Sequence, residues 1–324
     1  MTPAGLHPLA SAAHPAVPPE GDGPGDRLAR FWALRGRPVV RHRGVWWVRH
    51  RGPFHASLPF QLRLALSPEE AEELLRDLRL PAISYPTTGP GLPSGHYVLP
   101  AEGYGLDRVS RKQRGHVLRG LESCEIRGMD AEELIRKGLP LNRDTLARQG
   151  REDATFQDPL AWAAFVRAVE ACPGMAIHGA FVQGRLATWL VSCREGEWLH
   201  LLYKMSSTAD LEHHPSHTLD FMLARDAAGQ GIRFLGNGCA SVLPNEGLDR
   251  YKRQLGYELR AHNLAIRFHP WLAPAARPAA ALLAGAARLF GGSRLDYARR
   301  ILEGARATRE ASPGAPEDPA QPRA

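Results

Sequence analysis

The chain has 324 residues, of which 44% are hydrophobic and 23% charged, and it carries a net charge of +7. That suits one large or two modest globular domains, and no apolar run reaches the roughly 20 residues that cross a bilayer. The start lacks the basic residues and apolar stretch of a secretory signal, so export is not expected.

Residues 1–26 are rich in Pro, Gly and Ala and cannot bury enough surface to offset ordering entropy, so disorder is expected there and again in 306–324. Arg27–Leu34 suits a short helix, and Gly44–Arg49, with Trp46 and Trp47, a strand. Phe54–Leu66 alternates as a half-buried strand does, with a break at Pro59. Ser67-Pro68-Glu69-Glu70 opens a helix: Ser67 caps it, Pro68 takes the first helical position and Glu70 closes a capping box. Ala82–Tyr85 and His96–Leu99 read as strands around the turn-rich Thr87–Ser94. Asp107–Leu121 is a basic amphipathic helix, Cys124–Arg127 a strand, and Asp130–Lys137 and Asn142–Gln149 two short helices. Asp158 caps a longer one, Pro159–Ala171.

From His178 onwards the chain reads as one continuous unit. Strands Ile177–Val182, Leu186–Cys193 and Trp198–Met205 are joined by tight turns at Gln183-Gly184-Arg185 and Glu195-Gly196-Glu197. A polar loop leads to the helix Ser216–Gln230. A short strand, Arg233–Leu235, then enters a Gly-rich turn, Gly236-Asn237-Gly238. A helix carrying Asn245–Gly256 and a strand Tyr257–Phe268 close the unit, and an Ala-rich helix, Pro278–Phe290, follows.

Three segments carry a family likeness: Leu106–Arg114, Pro215–Leu219, and Asn245–Arg253 followed by Leu255-Gly256-Tyr257. In order and spacing they resemble the GNAT superfamily, in the branch shared by Fem-type aminoacyl transferases and FemAB-like acetyltransferases. The likeness covers about half the chain. It implies an α/β fold, a GNAT-like mixed sheet with flanking helices in a degenerate tandem of two units. The expected division is a degenerate unit at 27–105, an acyltransferase domain at 106–270 and C-terminal helices at 271–305. It also implies transfer of an acetyl or aminoacyl group from an activated donor to a small-molecule or peptide amine. The alternative is a non-catalytic module that binds RNA or phosphate ligands through a basic cleft.

The likeness places Lys252 at a charge-stabilising position; Glu246, in a turn beside the expected cleft, is a candidate base, and Tyr251 is a candidate acid whose ring suits a core position at least as well. Lys252→Ala is then expected to cost turnover and hardly touch folding, as for an exposed lysine. A helix start near Ser216 offers free backbone N–H groups to a donor phosphate, with Ser216, His217, Thr218, Lys204 and Arg250 as donor contacts and Asn237 and Tyr203 as acceptor contacts. The donor is acyl-coenzyme A or aminoacyl-tRNA, with no bound cofactor. However, Asp210–Pro215 holds none of the glycines of a coenzyme-A loop, which leaves a tRNA- or carrier-borne acyl group in play. His178 and His200 fall on strands, where core packing is the simpler role. His213, His214 and His217 invite zinc, but Pro215 interrupts them and no Cys or carboxylate has ligand spacing, so no metal is expected. Cys124, Cys172, Cys193 and Cys239 form no paired motif, which points to reduced thiols in the cytoplasm.

Overall fold

Eleven strands form one mixed sheet in the computed structural model, which describes residues 17–18, 21, 23–243, 245–272 and 293–310. The expected helix Pro278–Phe290 lies outside these residues, as do 1–16 and 311–324 of the segments expected to be disordered. The strands are β1 (Val39–His42), β2 (Val45–Arg51), β3 (Phe54–Leu58), β4 (Ala82–Thr87), β5 (Leu92–Pro100), β6 (Cys124–Gly128), β7 (Met175–Val182), β8 (Arg185–Glu195), β9 (Trp198–Ser206), β10 (Phe234–Cys239) and β11 (Glu258–Phe268). The helices are α1 (Asp26–Leu34), α2 (Pro68–Asp77), α3 (Arg111–Ser123), α4 (Ala131–Arg148), α5 (Ala154–Gln157), α6 (Pro159–Glu170), α7 (Pro215–Ala227), α8 (Glu246–Gln254) and α9 (Ser293–Glu310). The sheet runs β1-β2-β3-β4-β11-β5-β10-β9-β8-β7-β6.

One pattern occurs twice in this order. A three-stranded antiparallel meander leads into a helix, and the helix returns the chain to a strand parallel to the last of the three. The first copy is β1-β2-β3, α2 and β4; the second is β7-β8-β9, α7 and β10. This is the tandem GNAT-like mixed sheet that the sequence implies. The copies are interlocked, because β11 pairs with β4 on one side and β5 on the other.

Burial places the layers. α3 and α7 cover one face of the second copy through Val117, Leu219, Phe221 and Ala224, while α4 and α6 cover the other through Leu134, Leu146, Trp162 and Phe165. α1 joins the second of these cores, and Glu195 at the end of β8 accepts from the backbone N–H of Leu28 (3.0 Å) in its first turn. α2 packs over Trp47, Ile83 and Tyr85, and its Ser67–Glu70 capping box is formed as expected.

Three expectations are corrected. The two short helices after β6 are one, α4, with Pro140 inside it. Burial of Leu134, Leu141 and Leu146 along its length outweighs a proline cost of about 3 kcal/mol. Gly236-Asn237-Gly238 is not a turn but the body of β10; Gly236 is needed because a Cβ there would press on the His96 and His200 rings. Order also runs past residue 306: α9 continues to Glu310, and buried Thr308 Oγ1 accepts from the Ile266 N–H (3.1 Å).

α3 crosses α7 at Gly120, where a Cβ would strike Thr218 Oγ1 and the His213 carbonyl. Gly120→Val is therefore expected to destabilise the fold by about 1–3 kcal/mol, read as an earlier urea midpoint at unchanged slope. An unaltered midpoint would mean that the two helices separate at little cost.

Candidate active site

The second copy opens where its parallel strands part. β9 and β10 pair only from Trp198–His200 to Phe234–Gly236, and β9 then runs on to Ser206 without β10 beside it. α8 lies across this open end. It starts well because Asn245 Oδ1 accepts from the Leu248 N–H (3.1 Å), with Glu246 and Asp249 in the first turn and Lys252 and Arg253 in the last, matching the helix dipole.

Three polar side chains from three elements meet here. Lys204 Nζ on β9 donates to Asp220 Oδ2 of α7 (2.6 Å) and to the Tyr251 hydroxyl of α8 (3.1 Å). Tyr251 in turn donates to the same Asp220 oxygen (2.8 Å). The Lys204 ammonium also sits 4.8 Å from the Tyr251 ring centroid. Asp220 is buried, and its Oδ1 has no hydrogen-bond partner among the described residues. Burial first, and the Asp220 charge second, push the Tyr251 phenol well above its ordinary range, so it stays a proton donor at neutral pH.

Lys252 lies on the neighbouring side of α8. It is not the exposed lysine expected from sequence: only 5% of it is accessible. Its Nζ donates to the backbone carbonyl of Asn237 (2.6 Å) at the open end of β10 and sits 4.5 Å from the Tyr97 ring centroid. Burial pulls its ammonium down to about 8, against the opposing pull of Asp249. Cys239, beside it, has its Sγ 3.4 Å from His96 Nδ1, but burial holds the thiol up at about 11 and the imidazole down near 3.

The other expected site residues divide clearly. Ser216 is held by its hydroxyl between Ser206 (2.6 Å) and Thr188 (3.3 Å), at the head of α7 and next to the centre. Asn237 contributes its backbone carbonyl. Thr218 is corrected: it is fully buried against Gly120 and cannot reach a donor. Tyr203 is corrected too. It alternates with Lys204 along β9 and faces the opposite core, where Arg35 Nη1 donates to its hydroxyl (2.6 Å) among Phe31, Phe156 and Phe165. Glu246 and Arg250 are exposed on the outer face of α8, along a groove of about 550 Å³ shared with Ser110 and Arg253. Neither takes part in the Lys204–Asp220–Tyr251 contacts.

The start of α7 is also less open than expected. Its first residue, Pro215, has no N–H, and the His217 and Thr218 N–H groups already donate to the His214 carbonyl (3.1 and 3.2 Å). A row of free donors for a pyrophosphate is therefore not presented. That end carries imidazoles instead. His217 sits edge-on to Tyr251 with centroids 4.9 Å apart, and His116 of α3 stacks on His214 at 4.1 Å. His200 packs in the core as expected, while His178 is half-buried; burial holds both near 4, and His178 Nε2 lies 2.9 Å from Ser192 Oγ.

Sequence reasoning passed over Asp220 and His116. Asp220 had a local signal, a carboxylate set between Leu219 and Phe221 on a buried helix face. His116 had none, because only the fold brings α3 to the start of α7.

No family model matches the sequence, and no curated protein does. Solved structures do match. FemX superposes with a TM-score of 0.53 at 12% identity, over 74% of this chain and 90% of that one. The C-terminal domain of a protein assigned as lysylphosphatidylglycerol synthetase in Agrobacterium fabrum gives 0.54 at 12% identity, over 81% and 93%. L-PGS from Bacillus licheniformis gives 0.51 at 11%, over 79% and 90%. The chain thus shares the fold of FemX and of these two proteins.

Proposed function

We propose that the protein transfers an acyl group, most simply an aminoacyl group held as an ester on tRNA, to an amine, at the open end between β9 and β10. The observation that carries this reading is the convergence of two lysines, a buried carboxylate and a phenol where the two strands part. In direct transfer the amine attacks the donor carbonyl, negative charge gathers on the carbonyl oxygen, the bond from the acyl carbon to the ribose oxygen breaks, that oxygen takes up a proton and the attacking nitrogen sheds one. Lys252 supplies a positive charge in a dry setting to the oxyanion. Tyr251, kept protonated, gives its proton to the leaving oxygen by turning its O–H away from Asp220 and takes up the one that the attacking nitrogen sheds, while Lys204 holds its oxygen in place. The closed start of α7 and the missing glycine loop favour an aminoacyl ester over coenzyme A. The fold shared with a domain named for lysylphosphatidylglycerol synthesis is in keeping with an aminoacyl donor.

If Lys252 acts as a cation, turnover falls as pH rises through about 8, where its ammonium is lost. With an acceptor amine already in its free-base form, a rate that does not fall above pH 8 would remove this role from Lys252.

Thermal-shift measurements with acyl-coenzyme A, aminoacyl-tRNA and bulk RNA test the donor class. Stabilisation by aminoacyl-tRNA beyond that given by uncharged tRNA and bulk RNA is expected. Equal, strongly salt-dependent stabilisation by any RNA, with no response to an acyl group, would instead point to a binding module.

A further inference from the structure

We infer that His116, His214 and His217 form a three-histidine site for a borderline divalent metal ion, zinc foremost, that pins α3 to the start of α7. One ring nitrogen from each of the three residues lies within 4.8 Å of the other two, and all three residues are partly buried. A zinc ion about 2.0–2.1 Å from each nitrogen needs nitrogens a little over 3 Å apart with each ring plane aimed at the ion, so the His116 and His214 rings, stacked at 15° to one another, must swing out of that stack to close the site. His214 and His217 are three residues apart across the start of α7, and His214 projects its ring from a left-handed backbone (φ 54°, ψ 38°). His116 comes from another helix, so the ion would join two elements rather than decorate one.

A second observation concerns orientation. Gln113 donates from Nε2 to Gln254 Oε1 (2.8 Å), which turns its own Oε1 towards His116 Nδ1 (2.9 Å). That oxygen can only accept, so His116 carries its proton on Nδ1 and keeps a free lone pair on Nε2. A buried amide that fixes the tautomer of a histidine is the usual outer support of a metal ligand. Three imidazoles without a carboxylate suit zinc, copper, nickel or cobalt, and do not suit magnesium or calcium, which take oxygen ligands. Three protein ligands leave a fourth position for water or an anionic oxygen. Because His217 rests against Tyr251, the ion would also fix one wall of the proposed active site. Metal binding itself does not depend on the transferase reading.

The test uses full-length protein without a histidine tag, stripped with a chelator and titrated with Co2+ and then Zn2+. One Co2+ per chain is expected, with the visible absorption of a four- or five-coordinate ion, displaced by Zn2+ and untouched by Mg2+. His116→Ala and His217→Ala should each weaken Co2+ binding by about 100-fold or more, and Gln113→Leu by about 10- to 100-fold. His213→Ala, next to the cluster but outside it, should bind as the parent does. Melting curves in the absence of metal show that each variant is folded; His116, on the outer helix, is the ligand whose loss least threatens the fold. Co2+ binding by folded His116→Ala equal to that of the parent would overturn the inference, as would a featureless titration of the parent.

Discussion

Lys252→Met should slow acyl transfer by about 100- to 1,000-fold while the melting temperature at pH 7 holds or rises. The rate loss is the usual effect of removing one preorganised charge from a site that excludes water. The stability side follows from burial. With its ammonium pulled from the ordinary 10.5 to about 8, the folded state binds this proton less readily than the unfolded chain does. Below pH 8 both states hold the proton and the native state bears the full cost of burying it. Between about pH 8 and 10.5 the native state has shed the proton and the unfolded chain has not, so the contribution of Lys252 to stability improves as pH rises. Methionine has similar length, fills the space beside Tyr97 and removes that cost. The difference in melting temperature between parent and variant should therefore shift in favour of the parent from pH 7.5 to pH 10. A pH-independent difference would show that the amine is not desolvated. Lys252→Ala is the poorer probe, because it opens a cavity as well.

The second large effect belongs to Asp220. Asp220→Ala leaves the Lys204 ammonium and the Tyr251 hydroxyl without their shared acceptor. Losing one partner of a fully buried pair costs about 3–5 kcal/mol. The Lys204 side chain is 25% exposed, so water softens the loss to about 2–3 kcal/mol. For a chain of this size that is a fall of roughly 3–5 °C in melting temperature. Turnover should fall with it, because Tyr251 loses its orientation. Asp220→Asn keeps the shape and one acceptor and should lie between parent and Ala in stability. A melting temperature for Asp220→Ala within a degree of the parent would mean that these contacts do not hold the site together.

The legible parts of the site were those written in neighbouring residues. Tyr251 and Lys252 stand together in one short helix with its own cap and charge order, so a local reading could place them. The fold was legible for a similar reason. Each copy of its pattern is a run of strands closed by tight turns and followed by a helix that opens on a proline, Pro68 or Pro215, and these signals are read within a dozen residues. Tyr203 was misplaced although the information was there: strand alternation puts it and Lys204 on opposite faces. Glu246 and Arg250 were misplaced because charge on a helix does not say which face meets the sheet. Thr218 looked like a donor contact until Gly120, almost a hundred residues earlier, was found packed against it. Gly236 of β10 suggested a turn because what needs it, the His96 and His200 rings, comes from two other strands. Contacts of that kind are set by sheet order, which one sequence does not state.

The central claim is that the open end between β9 and β10 carries out acyl transfer with Lys252 as its cation. Incubation with aminoacyl-tRNA and a mixed pool of amines, followed by mass spectrometry of the small molecules and peptides, tests it most directly. The parent protein should yield an aminoacylated amine at the expense of the tRNA ester, and folded Lys252→Met should yield about a hundredth of that product or less. Equal product from the two proteins, or none from the parent with any ester or thioester donor, would contradict the account.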